Sequence, residues 1–257
     1  MSKIISIFNQ KGGVAKTTTA VNLAAGLTLH NKKVLIVDMD AQANSTCSVG
    51  VDENELDVTI YDLLNSRNLS KEDICKAIIK TSFDNLYILP SDITLSNAEI
   101  TLANALSREH ILSKIIKKIQ DDFDYIIIDC PPSLGLLSIN SLVASDSIII
   151  PVATSYFSIK GIKHLIDTYN LVKDNLKEDL EIEGVLITMF DSRKNISKDI
   201  KDMLENTFND KLFKTNIRIN SKIEYAQDNS TPVVFFDKNS NGAKDYMNLT
   251  KEVLGIE

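Results

Sequence analysis

Lysines, glycines and threonines are concentrated in one short segment near the start of the sequence. Residues 9–19 read Asn-Gln-Lys-Gly-Gly-Val-Ala-Lys-Thr-Thr-Thr, follow an apolar run at 4–8 and precede a helical pattern at 20–29. A strand, a glycine-containing loop and a helix in this order direct backbone N–H groups at the phosphates of a nucleotide. In such a loop Lys16 would reach the β- and γ-phosphates, and the Thr17 hydroxyl would bind Mg²⁺.

Carboxylates follow two other apolar runs. Asp38 follows residues 35–37 directly, and Asp40 comes two residues later. Asp129 ends the run Tyr-Ile-Ile-Ile-Asp at 125–129, before Cys130 and two prolines. Carboxylates at the ends of parallel strands can hold Mg²⁺ or orient the water that attacks a γ-phosphate. The alternative for each aspartate is a turn or helix cap.

The lysine-rich loop departs from the plain P-loop pattern G-x-x-x-x-G-K-[ST]. Gln10 and Ala15 stand where glycines are expected, and a second lysine, Lys11, precedes the double glycine. This arrangement resembles the deviant Walker A motif, K-G-G-x-G-K-T-T, of the ParA/MinD superfamily of dimerising ATPases. Residues 38–44, Asp-Met-Asp-Ala-Gln-Ala-Asn, are similar to that family's D-x-D-P-Q-x-N, and residues 129–132 to its D-x-P-P.

The resemblance implies roles for individual residues. Lys11, Lys16 and Asp40 would be catalytic: Lys11 would reach the partner subunit's nucleotide, and Asp40 would position the attacking water. Mg²⁺ would be held at Thr17, Asp38 and Asp129, and residues 133–138 would act as a switch. The residues expected to contact ATP or ADP in the loop are Lys11, Gly12, Gly13, Val14, Ala15, Lys16, Thr17 and Thr18.

Ala15 departs from the family's glycine. A positive φ at this position would cost an alanine roughly 1 kcal/mol or more, whereas a negative φ would make the extra methyl group nearly neutral. Because the rest of the motif is intact, we expect a negative φ.

Two later segments resemble the partitioning branch of the family. Residues 188–193, Thr-Met-Phe-Asp-Ser-Arg, are similar to its T-M-x-D-x-R, and residues 232–243 to its P-x-x-x-x-D-x-x-S-x-G-A. Alignment back from the second segment implies that Asn220 and Arg218 lie at the adenine. It also implies that Arg193 and Lys222 contact DNA.

Composition limits the class of protein. The 257 residues carry a net charge of −7, which is not typical of a strong DNA-binding protein, but residues 193–222 contain eight basic and four acidic side chains. That segment predicts either a local basic patch or solvated helix faces. The three cysteines are scattered, there is no long apolar run, and no signal peptide is recognisable, so we expect a cytoplasmic protein with reduced thiols.

Short apolar runs alternate with helical patterns, which is typical of a parallel sheet built from βαβ units. We predict an α/β fold, a mostly parallel twisted sheet with helices on both faces, and a single P-loop NTPase domain over residues 1–257. Strands are predicted at 3–8, 33–37, 86–89, 125–129, 147–152 and 184–189. Helices are predicted at 17–29, 108–120, 159–172, 197–206 and 242–254, with two short ones within 57–79.

Together these features indicate a ParA/Soj-type partitioning ATPase without a helix-turn-helix domain. The resemblance implies an ATP-dependent homodimer that binds non-specific double-stranded DNA on the nucleoid. It also implies a ParB-like partner that stimulates hydrolysis, with no stable membrane association. The alternatives are a membrane-cycling ATPase of the MinD type, a cluster-carrying reductase relative that uses Cys130, and a scaffold with an inactive P-loop. The MinD type needs a basic amphipathic C-terminal helix, whereas residues 246–257 are better explained as packing on the core.

Overall fold

An eight-stranded sheet forms the centre of the molecule. The computed structural model describes residues 2–154 and 158–256, with residues 158–161 described by their backbone alone. The strands are β1 (Lys3–Ile7), β2 (Val34–Asp38), β3 (Ile79–Lys80), β4 (Leu86–Leu89), β5 (Tyr125–Asp129), β6 (Ser147–Ala153), β7 (Glu181–Phe190) and β8 (Leu212–Arg218).

The order of the strands across the sheet is β3-β4-β2-β5-β1-β6-β7-β8. Seven strands are parallel, and only β3 runs antiparallel to its neighbour. Strand β1 lies between β5 and β6, and all residues of β2 are buried. Isoleucine- and valine-rich strands of this kind are covered on both faces, as the lack of alternation in the sequence predicts.

Twelve α-helices lie in the described part of the chain. They are α1 (Lys16–Leu29), α2 (Asn44–Ser48), α3 (Ile60–Asn65), α4 (Lys71–Ala77), α5 (Ala98–Thr101), α6 (Ile111–Ile116), α7 (Leu136–Val143), α8 (Ser158–Asn175), α9 (Asn195–Phe208), α10 (Ser221–Asp228), α11 (Val233–Phe236) and α12 (Asn241–Leu254).

The helices cover both faces of the sheet, which confirms the predicted fold class. On one face α3, α4, α6, α7, α8 and α9 supply the buried apolar side chains, and on the other face α1, α11 and α12 do so. The loops after the carboxyl ends of the central strands thus meet at one edge of the sheet, where open parallel sheets bind ligands.

Helix α12 is packed against α1 at unusually close range. A Cβ placed on Gly26 of α1 would lie 2.2 Å from Thr250 Oγ1 and 3.2 Å from Thr250 Cβ. The hydroxyls of Thr19 and Tyr246 lie 3.4 Å apart in the same interface, and Tyr246 is fully buried. The prediction that residues 246–257 pack on the core is confirmed for the described residues of α12.

Most of the predicted elements are present with end shifts of one to three residues. The prediction of one helix over 108–120 was wrong, because α6 ends at Ile116 and the chain then tightens: the N–H groups of Lys118 and Ile119 donate to carbonyls three residues earlier. Two strands, β3 and β8, and five helices, α2, α5, α7, α10 and α11, were not predicted. Strand β8, Leu-Phe-Lys-Thr-Asn-Ile-Arg, is a partly exposed edge strand without a continuous apolar run. None of the helices in the described residues is long and apolar enough to cross a membrane.

The close approach of Gly26 to Thr250 makes a prediction for stability. Gly26→Ala should lower the free energy of unfolding by about 1–2 kcal/mol, because overpacking at this point exceeds the roughly 1 kcal/mol that alanine gains within a helix. Chemical denaturation of the purified protein measures this change.

The double variant Gly26→Ala/Thr250→Ala is the control. Removing Oγ1 and Cγ2 of Thr250 relieves the 2.2 Å contact and leaves only Cβ, at 3.2 Å from the new methyl group, so the two changes should show a favourable coupling energy. Destabilisation of the double variant by the sum of the two single effects would contradict the proposed clash.

Candidate nucleotide site and basic surface

The loop between β1 and α1 is held by Asn9. The Asn9 side chain donates to the Pro151 carbonyl in β6 at 2.7 Å and accepts from the backbone N–H of Lys11 at 3.0 Å. These bonds tie the start of the loop to the neighbouring strand. Sequence reasoning assigned no role to Asn9, and its only signal is its place two residues after the end of β1.

Lys16 is buried at the first position of α1. Its side chain is 7% exposed, and Nζ donates to the Lys11 carbonyl at 3.1 Å. Burial lowers the pKa of Lys16, while the nearby charges of Asp129 and Asp40 act in the opposite direction. The ammonium group is therefore directed back into the loop that surrounds the expected phosphate position.

The N-terminus of α1 has no side-chain cap among the described residues. The residue before the helix, Ala15, makes no capping hydrogen bond, and the first turn contains no acidic side chain. Unpaired N–H groups and the helix dipole favour an anion at this end. The predicted nucleotide contacts Gly12, Gly13, Val14, Thr17 and Thr18 lie in this loop and first turn.

Ala15 corrects one expectation from the sequence. Its φ is +66° and its ψ is +35°, in the left-handed region, so the expected negative φ was wrong. Gly13 has a φ of +69°, and the loop therefore has two left-handed residues within three positions. The loop needs this shape to return the chain into α1, and alanine adopts it at a cost of about 1 kcal/mol.

Asp38 and Asp129 lie side by side, since β2 and β5 pair in register at these two residues. Both carboxylates are fully buried. Asp38 Oδ2 accepts from the N–H of Thr46 at 2.9 Å and from its hydroxyl at 2.8 Å, and Asp38 Oδ1 accepts from the N–H of Asp40 at 3.2 Å. Asp38 therefore fixes the loop before α2.

Asp129 is less completely paired than Asp38. Its Oδ2 accepts from the Ser45 hydroxyl at 2.7 Å, while the buried Oδ1 has no hydrogen-bond partner among the described residues. Sequence reasoning did not identify Ser45 and Thr46 as partners of these carboxylates. Their signal was their position at the start of α2, where hydroxyl residues are common.

Burial raises the pKa of both carboxyl groups. For Asp38 the neighbouring Asp129 adds to the rise, and the hydrogen bonds from Thr46 oppose it. For Asp129 the hydroxyl groups of Ser45 and Thr17 oppose the rise. Two buried carboxylates with raised pKa values favour a cation between or beside them.

Asp40 lies at the mouth of this site. It is partly exposed, and its Oδ1 accepts from the N–H of Gln42 at 3.0 Å, so it also forms the turn that was considered as its alternative role. The other carboxylate oxygen has no hydrogen bond among the described residues and is available to a water or ligand.

The segment after Asp129 docks on α5. Glu99 accepts from the backbone N–H groups of Leu136 and Leu137 at 2.9 and 3.4 Å, and thus caps the start of α7. Gly135 fits under this carboxylate, since an added Cβ would lie 2.1 Å from Glu99 Oε1. Glu99 therefore attaches the predicted switch segment to α5.

Cys130 is buried in the core. Burial raises the pKa of its thiol to about 12. No group of three or more histidine, cysteine, aspartate or glutamate side chains in the described residues is arranged to hold a metal. The geometry agrees with the interpretation of Cys130 as a small buried residue.

Arg218 and Asn220 lie where β8 leads into α10. The guanidinium group of Arg218 is paired with Asp245 of α12, with Nη2–Oδ1 at 2.6 Å, and the Arg218 N–H donates to the same carboxylate. The Asn220 side chain caps α10 by accepting from the N–H of Lys222. Gln227 of α10 donates to the Thr18 hydroxyl at 3.0 Å, which connects this region to the P-loop.

Arg193 and Lys222 follow the ends of neighbouring strands. Phe190 pairs with Arg218 at the ends of β7 and β8, so Arg193, in the loop after β7, and Lys222, in the first turn of α10, both lie beyond the same edge of the sheet. Arg193 is 88% exposed and forms a two-pronged ion pair with Asp191, which lowers the pKa of Asp191 to about 2. Lys222 lies 3.8 Å from an oxygen of Asp237.

Comparisons with known proteins identify the family. A family model described as an AAA domain matches residues 2–182. The sporulation initiation inhibitor protein Soj of Bacillus subtilis is 44% identical over 98% of this chain and 98% of its own length. The chain belongs to the ParA/Soj family of P-loop ATPases.

Solved structures agree with this assignment. A plasmid partition protein of Borrelia burgdorferi bound to AMPPNP superposes with a TM-score of 0.81 at 29% identity, and the match covers 99% of both chains. A Mycobacterium smegmatis protein described as cobyrinic acid a,c-diamide synthase, with bound ADP and magnesium, gives 0.82 at 31% identity over 98% of this chain and 93% of that chain. The predictions of an ATPase and of ATP or ADP with Mg²⁺ as its cofactors are confirmed at the level of the family.

The left-handed conformation at residue 15 makes a prediction. Ala15→Gly should raise the free energy of unfolding by about 1 kcal/mol, because glycine adopts a positive φ without the clash of a Cβ. Thermal or chemical denaturation without nucleotide measures the change.

Ala24→Gly within α1 is the matched control. The same exchange should destabilise the protein there by about 1 kcal/mol or more, because glycine weakens a helix interior and the buried methyl group is removed. Destabilisation by Ala15→Gly as well would show that the strained loop is not the native conformation.

Proposed function

We propose that this protein is an ATP- and Mg²⁺-dependent DNA-partitioning ATPase that acts as a nucleotide-controlled dimer. The observation that carries the proposal is the P-loop at the end of β1 beside Asp129, whose buried Oδ1 has no hydrogen-bond partner among the described residues. A buried carboxylate oxygen without a hydrogen bond is costly unless a ligand satisfies it, so its environment fits Mg²⁺.

The P-loop residues would bind and orient the triphosphate. The backbone N–H groups of Gly12 to Thr18 would surround the β-phosphate, and Lys16 would move its ammonium group from the Lys11 carbonyl to the phosphate oxygens. When bound, Mg²⁺ would neutralise charge that develops on the phosphates. Thr17 and Asp129 are the residues we propose to hold it, and the three hydrogen bonds that Asp38 accepts from the chain around α2 support an orienting role for that residue.

Asp40 is proposed to position the attacking water. It is the carboxylate at the mouth of the site that is neither fully buried nor fully paired among the described residues. Lys11 is partly exposed beside the exposed Gly12 and Gly13, and we propose that it reaches the nucleotide of a second subunit and supplies charge at the interface.

The adenine would lie beside Asn220 and Arg218. Arg218 ends β8 and Asn220 caps α10 directly after it, at the ligand-binding edge of the sheet, and Gln227 connects α10 to Thr18. The Arg218–Asp245 pair supports a role for Arg218 in shaping the wall of the site with its aliphatic part.

The surface after β7 and β8 is proposed to bind double-stranded DNA without sequence preference. The side chains of Arg193 and Lys222 are 88% and 49% exposed, and dimerisation would double this surface. Phosphate contacts of this kind give affinity without sequence information. By family resemblance, a ParB-like partner would stimulate hydrolysis and release the protein from the nucleoid.

Asp40→Ala tests the catalytic assignment. ATP-driven dimerisation should persist, because the P-loop and Asp129 remain, while the rate of hydrolysis should fall about 10²-fold or more because the water is no longer oriented. Light scattering with ATP and Mg²⁺ measures the first quantity, and phosphate release measures the second.

Lys16→Ala is the companion variant and should bind no nucleotide and therefore not dimerise. Turnover near that of the wild type in Asp40→Ala would refute the role of Asp40. Failure of Asp40→Ala to dimerise would assign this residue to binding instead of chemistry.

Arg193→Ala tests the DNA surface. Binding of an unrelated duplex should require ATP and Mg²⁺ and should weaken with salt, and the slope of log affinity against log salt should decrease by about one unit for each phosphate group that the variant no longer neutralises. Titration of a labelled duplex without nucleotide, with ADP and with ATP measures both effects.

Lys80→Ala provides the control, because Lys80 is exposed in β3, at the edge of the sheet opposite β8. Equal effects of the two substitutions would contradict a localised DNA surface. ATP-driven dimerisation without DNA binding in any nucleotide state would redirect the proposal to a relative that acts on a membrane or on another protein.

A further inference from the structure

A large groove with an apolar floor lies away from the nucleotide site. It has a volume of about 930 Å³ and is formed by α3, the loop before α4, the residues that follow α5, and α6. Leu64, Leu102 and Ile115 are buried in its floor, while Leu106 at its rim is 94% exposed. Leu106 extends the apolar floor to the exposed rim, so the groove presents a contiguous apolar surface, which is typical of a site that binds another molecule.

The rim of this α6 groove is positively charged. Four cationic side chains line it, and no aspartate or glutamate does so among the described residues. All four are exposed, and none of them forms an ion pair with a carboxylate in the described part of the chain. They are Arg67, Lys114, Lys117 and Lys118. The Lys118 ammonium group donates to the Leu69 carbonyl, and Lys117 lies near enough to Asp179 to contribute to the lowered pKa of that carboxyl group.

The positive charge of the groove contrasts with the negative net charge of the whole chain. The protein has a net charge of −7, yet the groove collects four cations. Three carboxylates of neighbouring segments pair with lysines outside the groove: Asp122 with Lys71, Asp73 with Lys76, and Asp179, which Lys117 also influences, with Lys177. The groove is therefore a locally positive site that favours an anionic ligand.

The apolar floor limits which class of anionic ligand can fit the groove. Nucleic acid without base pairing is held by basic grooves with aromatic side chains for stacking, and no aromatic residue among the described ones lines this groove. A bilayer surface is flat, whereas the buried leucine and isoleucine side chains lie at the bottom of a concavity. An amphipathic helix fits both features, with apolar anchors one turn apart and acidic side chains at its flanks.

We propose that the α6 groove binds an acidic amphipathic helical segment of a partner protein. Leucine-type side chains of that segment would cover Leu102, Leu106 and Ile115, and its carboxylates would face Lys114 and Lys117. None of the P-loop residues lines the groove, so the inference does not rest on the proposed partitioning function.

The test uses a designed peptide as the probe. A fluorescein-labelled helix of about five turns, ~18 residues, carries leucines on one face and glutamates elsewhere. A second peptide has lysines in place of the glutamates, and a third has the first composition in scrambled order. Fluorescence anisotropy with the full-length protein, without nucleotide, measures affinity between about 50 and 300 mM salt.

Saturable binding of the acidic helix, at least about tenfold tighter than that of the other two peptides, is the expected result. The double variant Lys114→Glu/Lys117→Glu should bind the acidic helix at least about tenfold more weakly than the wild type does. Leu106→Asn should bind it several-fold more weakly. Lys211→Glu, at an exposed lysine just before β8, should leave the affinity unchanged. The substituted side chains are exposed, so each variant should unfold at the wild-type temperature.

Three outcomes would overturn the proposal. They are no saturable binding of the acidic helix, equal binding of the scrambled or the basic peptide, and equal affinity for the wild type and the Lys114→Glu/Lys117→Glu protein with its unfolding temperature retained. Cosedimentation with anionic vesicles that disappears in the same double variant, without peptide binding, would assign the groove to a membrane surface instead.

Discussion

The burial of two carboxylates next to each other is the constraint on which the candidate site depends. Asp38 and Asp129 end neighbouring strands in register, and neither is exposed. Burying an unpaired carboxylate costs several kcal/mol, so the surrounding chain must supply donors or cations. Ser45 and Thr46 in the first turn of α2 supply such donors, and the buried Lys16 ammonium group is a positive charge near Asp129.

This compensation is incomplete. The pKa of both carboxyl groups stays raised and the pKa of Lys16 stays lowered, and Asp129 retains one oxygen without a partner among the described residues. The left-handed Ala15 adds backbone strain to the P-loop beside them. Strain and unsatisfied charge at one place are typical of a site that a ligand completes.

The sequence alone predicted the parts of the fold that local chemistry determines. The buried parallel strands, the P-loop and the two strand-end aspartates were recognisable because apolar runs and phosphate-binding loops leave strong patterns. Strand β8 and helices α7 and α10 were not recognisable, because their formation depends on partners distant in the chain, such as Glu252, which accepts from the N–H groups of Lys214 and Thr215. The sequence could not predict the positive φ of Ala15 either. This φ is determined by the path of the loop between β1 and α1 and not by the intrinsic preference of alanine.

The packing of α1 against α12 also has a consequence for how the protein is made. Thr19 and Tyr246 meet across 227 residues of chain, so the P-loop helix acquires its packing partner long after it has left the ribosome. During synthesis, α1 and its loop therefore lie against the partly formed sheet without the contacts that α12 later provides. The ability to capture a nucleotide should therefore appear abruptly, when α12 emerges and docks, and not gradually as the strands are added.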